Sequence, residues 1–139
     1  MKYIALSAAL LLAACASASA QEAAVATPLS TAVTTNSGQP IALPQGPVQV
    51  SVSRVVIPAG STLPVHRHPY PRYAYVEAGR IRVTNVDTGG EVEFAPGGFI
   101  VEAIGQWHTG LALGTEDVRL LVIDQHPPGE TNTVIRPGA

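Results

Sequence analysis

Turn residues recur along this chain too often for long helices to form between them. From Pro40 onward, Pro58-Ala59-Gly60, Asp87-Thr88-Gly89-Gly90, Pro96-Gly97-Gly98 and Gly114-Thr115-Glu116-Asp117 help punctuate it at intervals of about 8–12 residues, the spacing of short antiparallel strands. The runs between them alternate in polarity. Val48, Val50 and Val52 alternate with Gln49, Ser51 and Ser53 and lead into Val55-Val56-Ile57, the pattern of a half-buried strand. Ile81 and Val83 alternate with Arg80, Arg82 and Thr84, and Val92 and Phe94 with Glu91 and Glu93, which predicts a hairpin across the Asp87 turn. Val118 to Ile123, broken only by Arg119, reads as a central strand covered on both faces. Seven or eight such strands predict one all-β domain, an antiparallel sandwich or barrel.

The ends read differently. Lys2, the apolar run Ile4 to Ala14 and Ala18-Ser19-Ala20 have the order of a signal peptide, residues 1–20, which predicts a periplasmic or secreted protein. Leu12-Ala13-Ala14-Cys15 also matches a lipoprotein signal, so the alternative is a lipid anchor at Cys15 in the cell envelope. The apolar run is too short for a permanent membrane span. Residues 21–40, rich in Ala, Thr and Ser, read as a flexible linker, 41–126 as the barrel, and 127–139 as a tail with too many breakers for a core element.

Composition narrows the chemistry. Lys2 is the only lysine and Cys15 the only cysteine, so beyond the leader neither Schiff-base nor thiolate catalysis is open, and no disulfide staples the domain. A net charge of −2, with no basic run, argues against nucleic acid as a partner. The stretch from Val65 to Gly79 is the exception to this plainness, holding two of the four histidines and three of the four tyrosines. On a strand, His66 and His68 point to one side with Cα atoms roughly 6–7 Å apart, a separation that suits two ligands of one metal ion.

These residues resemble the cupin family. Its first motif runs Gly, five residues, His-x-His, three or four residues, Glu, six residues, Gly; Gly60, His66, His68 and Gly79 match it. In the second motif a histidine follows a glycine by about ten residues, an arrangement that Gly98 and His108 resemble. The resemblance covers residues 41–125 and implies a small jelly-roll barrel with a metal site in its mouth and a tendency to form homodimers. Two departures stand out: Arg72 occupies the glutamate position at the three-residue spacing, and Ile104-Gly105-Gln106-Trp107 lacks the expected Pro-x-Gly.

What is left is a three-histidine site, His66, His68 and His108, for a divalent ion: Fe, Mn, Ni, Cu or Zn. Arg72 is a candidate to bind a substrate carboxylate through its fork, or else turns outward at a bulge. Tyr73 takes the ligand position under the longer spacing. Glu102, interrupting an apolar strand before His108, is a candidate base, ligand or partner to a ligand histidine. Tyr70 and Trp107 are candidate pocket walls, whereas His126 reads as a surface histidine. The leading expectation is a metal-dependent enzyme on a small, carboxylated molecule, oxygenase-type ahead of isomerase or lyase. The alternatives are a non-catalytic binding module for a small ligand or metal, and a degenerate barrel kept for protein contacts.

Overall fold

A computed structural model describes residues 22–138. The leader, with both of its processing alternatives, lies outside the described residues. Nine strands follow within them: β1 (Gln49–Ile57), β2 (His66–Arg67), β3 (Arg72–Ala78), β4 (Arg80–Asn85), β5 (Glu91–Phe94), β6 (Phe99–Val101), β7 (His108–Leu113), β8 (Val118–His126) and β9 (Val134–Ile135). They form two antiparallel sheets, a four-stranded one in the order β1-β8-β3-β6 and a five-stranded one in the order β5-β4-β7-β2-β9. The sheets face each other as a jelly-roll barrel.

The chain crosses from one sheet to the other at Gly79, between β3 and β4. Its φ of 71° is left-handed, and a Cβ there would lie 2.6 Å from the Asp117 carbonyl oxygen. Only glycine fits such a turn. The β4–β5 hairpin forms as expected, with Ile81 opposite Phe94 and Val83 opposite Val92. Between the sheets, Ile57, Val76, Ile100, Val118 and other small aliphatic side chains make the core. At about 25 cal/mol per Å² this burial is the main stabilising contribution, since no crosslink assists it.

Several strands differ from the sequence reading. The alternating valines of β1 face outward, with Val50 58% and Val52 64% exposed, because Val55 and Ile57 set the inward phase and Val52 pairs with Ile123 on the outer side. In β8 one face is buried and the other only half covered, so the strand is central but not sandwiched on both sides. His126 is 6% exposed rather than on the surface, since it shares the inward phase of Leu120 and Val122. The breaker-rich segment after it is docked: β9 pairs with β2, and Asn132 is 5% exposed. Thr35 is likewise buried, and Asn36 donates its backbone N–H to Val101, which fixes the end of the segment read as a linker.

Candidate metal centre

Strand pairing brings the three histidines together. His66 on β2 stands directly opposite His108 on β7, and His68 follows two residues on, bridged to Ile104. The ring centroids lie 4.5, 4.9 and 5.0 Å apart, and one nitrogen of each ring falls within 4.8 Å of the others. All three side chains are buried, His68 completely.

The orientation of each ring is set by the backbone. His66 Nδ1 donates to the Pro64 carbonyl at 2.7 Å, His68 Nδ1 to that of Asn132 at 2.6 Å, and His108 Nδ1 to that of Gln106 at 3.0 Å. A carbonyl only accepts, so these bonds assign the proton to Nδ1 and leave the lone pair for a ligand on Nε2. Burial holds all three below the usual histidine range, and burial together with the Arg72 charge pushes His68 down to about 2. The rings are therefore neutral at neutral pH, as metal ligation requires.

Arg72 points into the barrel, with Nη1 3.4 Å from His68 Nε2. Its fork is already occupied: Nε donates to Asp124 Oδ1 at 2.7 Å and Nη2 to Oδ2 at 2.9 Å. The bidentate grip expected for a substrate carboxylate is thus taken by a residue of the chain itself. Asn132 completes the arrangement, its Nδ2 donating to Asp124 Oδ1 at 2.7 Å while its backbone carbonyl holds His68.

Glu102 enters from the end of β6, with Oε2 3.8 Å from His108 Nε2. Both atoms are buried and without hydrogen-bond partners. Burial pushes the Glu102 carboxyl up, against the opposing pull of Arg72, while His108 is pushed down, so this contact is not an ion pair. An unpartnered buried carboxylate oxygen beside three converging Nε2 atoms, one of them also unpartnered, is costly unless something joins them. A divalent transition metal suits that donor set.

Other candidates lie elsewhere. Tyr73 is on the outer side of β3, where it stacks on Phe99 and donates to Gln125, so it is no ligand. One-residue parity along the strand excludes it once Arg72 faces inward. Tyr70 donates its hydroxyl to Glu130, and Trp107 lies beneath the Arg67 guanidinium, 4.6 Å from ring centre to Cζ. Neither borders the cavity of about 50 Å³ that the histidines, Arg72 and Glu102 share with Ile57, Leu63 and Leu120. A second recess of about 200 Å³, edged by Asn36, Asn85 and Thr88, reaches His108 from outside. Asp124 and Asn132 were missed from sequence. The first carried a signal, an acid on the inward phase of Val118, Leu120 and Val122, whereas the second carried none.

The fold and the imidazole cluster define a small β-barrel with a metal-type site in its interior. The cupin domain model matches residues 53–124, more than half of the chain, and the protein belongs to that family. No curated protein matches it. Among solved structures, the polyketide cyclase RemF from Streptomyces resistomycificus is similar at 21% identity and a TM-score of 0.54, over 70% of this chain and 69% of that one. The DMSP lyase DddQ from Ruegeria pomeroyi DSS-3 is similar at 22% identity and a TM-score of 0.53, over 62% of this chain but 42% of that one. A Lactobacillus farciminis oxalate decarboxylase, solved as a formate complex, gives 22% and 0.53 over 62% of this chain and 26% of its own. At these identities the likeness is one of fold.

Proposed function

We propose that this cupin is an exported, metal-dependent enzyme acting on a small molecule that brings a carboxylate or similar anionic oxygen to the three-histidine cluster. The single observation that carries this is the convergence of three neutral Nε2 atoms, each oriented by a backbone carbonyl. When bound by His66, His68 and His108, a divalent ion supplies Lewis acidity and open positions for an oxygen ligand. Arg72 Nη1 offers a hydrogen bond to that oxygen. The inner cavity has room for the head of a small molecule, while the outer recess beside His108 receives the remainder.

Open positions on the metal suit an oxygenase-type reaction. Glu102 favours a second reading, a lyase or isomerase reaction, because its unpartnered Oε2 stands where it can hold a proton of the substrate. The three neighbours, a lyase, a decarboxylase and a cyclase by name, are in keeping with small-molecule chemistry. Metal-loaded protein assayed against small carboxylic acids, with an oxygen electrode and product mass spectrometry, separates the readings. Oxygen uptake with product marks an oxygenase, and product without uptake a lyase or isomerase. Tight binding without product returns the protein to the alternative of a binding module. Glu102→Gln is expected to lower turnover by ~100-fold or more if the carboxyl moves a proton.

Export is supported by the leader sequence alone, and mass spectrometry of the mature N-terminus tests it. A start at Gln21 gives a soluble periplasmic or secreted protein, and a diacylated Cys15 an anchored one. The exposed Val50, Val52 and Val56 support a homodimer through the outer side of the four-stranded sheet, which sedimentation tests.

A further inference from the structure

We propose that the cluster takes up its metal and a small anion as a linked pair, coupled through Arg72; this rests on the three-histidine metal reading. The Arg72 guanidinium stands inside the barrel, 3.4 Å from His68 Nε2, the atom through which a metal would be held. It cannot swing aside freely. Its Nε and Nη2 edge is fixed to Asp124, and Asp124 is fixed in turn by Asn132. A dication on the three Nε2 atoms therefore meets a permanent positive group within a few ångströms, in a buried site where charges are poorly screened.

Asp124 offsets this only in part. It lies on the far edge of the guanidinium and leaves Nη1 facing the histidines. Glu102 is the acid bordering the cavity; its Oε2 lies beside His108 Nε2, and among the described residues no ion pair joins it to Arg72, so Nη1 has no carboxylate acceptor there. An anion that accepts from Nη1 while ligating the metal removes the repulsion and supplies Nη1 with an acceptor better than an imidazole nitrogen that the metal must claim. The size is set by the cavity of about 50 Å³, which holds a few water-sized groups. That suits a carboxylate head. Because coupling is reciprocal, the metal tightens the anion by the same factor as the anion tightens the metal.

Zinc, which is redox-inert, and formate, which fits the cavity, are the probes. Calorimetric titration of zinc into the wild-type protein, with formate or with perchlorate at equal ionic strength, is expected to show ~10-fold tighter binding in formate, within the usual range of coupling between two ligands. The paired substitution Arg72→Gln with Asp124→Asn keeps hydrogen-bonding groups on both side chains and removes both charges. It is expected to bind zinc with less than ~2-fold dependence on formate. Carbon-13 line broadening of formate in the wild type, with and without zinc, reads the reciprocal effect without any variant. Zinc binding that ignores formate, or a formate effect undiminished in the paired variant, overturns the coupling alone. A wild-type protein that binds no zinc under either condition overturns the metal reading itself.

Discussion

The two walls of the barrel face one small space and are built on different terms. On β2, just beyond it and on β7, the three histidines are each fixed by a backbone carbonyl, so their aim follows from the course of the chain. On β3 and β8, Arg72 and Asp124 hold one another through side chains, and Asn132 locks the pair from a segment beyond the last long strand. The comparison separates ligand geometry from charge environment. The first is held mainly by backbone groups, whereas the second depends on three particular side chains.

Variants of the two walls should therefore fail differently. The largest effect is expected from His66→Ala or His108→Ala, which remove a donor nitrogen: metal affinity should fall beyond the ~10–100-fold typical of losing a ligand's supporting partner. Their urea unfolding midpoints should stay close to that of the metal-free wild type. On the other wall, Asp124→Ala leaves the mostly buried guanidinium of Arg72 without its partner and should cost about 3–5 kcal/mol in urea unfolding. Replacing both members, Arg72→Met with Asp124→Leu, should recover most of that loss. If the double variant unfolds as readily as the single one, the pair is not the unit described above.

Asn132 joins the two walls, and its loss should show in both readouts. Asn132→Ala removes one of the two donors to Asp124 Oδ1 and the acceptor of the Tyr70 backbone N–H, and a cost of about 1–3 kcal/mol is expected. Metal affinity should fall by ~10-fold or more as the carbonyl that orients His68 loses its anchor.

A smaller effect concerns acid stability of the metal-free protein. His68 in the fold lies near 2, below its value in the unfolded chain, so the unfolded chain takes up the proton first. The stability that His68 contributes is full above about pH 6.5 and is lost as pH falls, at about 1.4 kcal/mol per pH unit. Unfolding midpoints should fall from pH 7 to 5, with His66 and His108 acting in the same direction and Glu102 against them, and His68→Gln should reduce the fall. The smallest effect is expected on the outside of the barrel: Val52→Thr should change stability by no more than about 0.5 kcal/mol. Val55→Thr, on the inward phase, should cost more.

How far the sequence spoke follows the same division. Gly60, Gly79 and the His66-x-His68 pair were legible because motif spacing and strand parity are local properties, and His108 because a matching glycine stands upstream. Parity alone could not say which face of β1 is inward, and the alternating valines looked like a buried set until Ile57 and Val55 fixed the phase. Tyr73 stayed in contention because the motif allows three or four residues before its glutamate. Asp124 was readable in principle as an acid on an apolar phase. Asn132 was not, because its role comes from where a breaker-rich segment docks, and no local pattern encodes a contact across 64 residues to His68.

Whether His66, His68 and His108 hold a metal is tested most directly by elemental analysis of tag-free protein alongside the His66→Ala and His108→Ala variants. About one divalent ion per wild-type chain, lost in both variants while each stays folded, is the expected result. A folded wild-type protein that carries no divalent metal and takes up none on titration would contradict it.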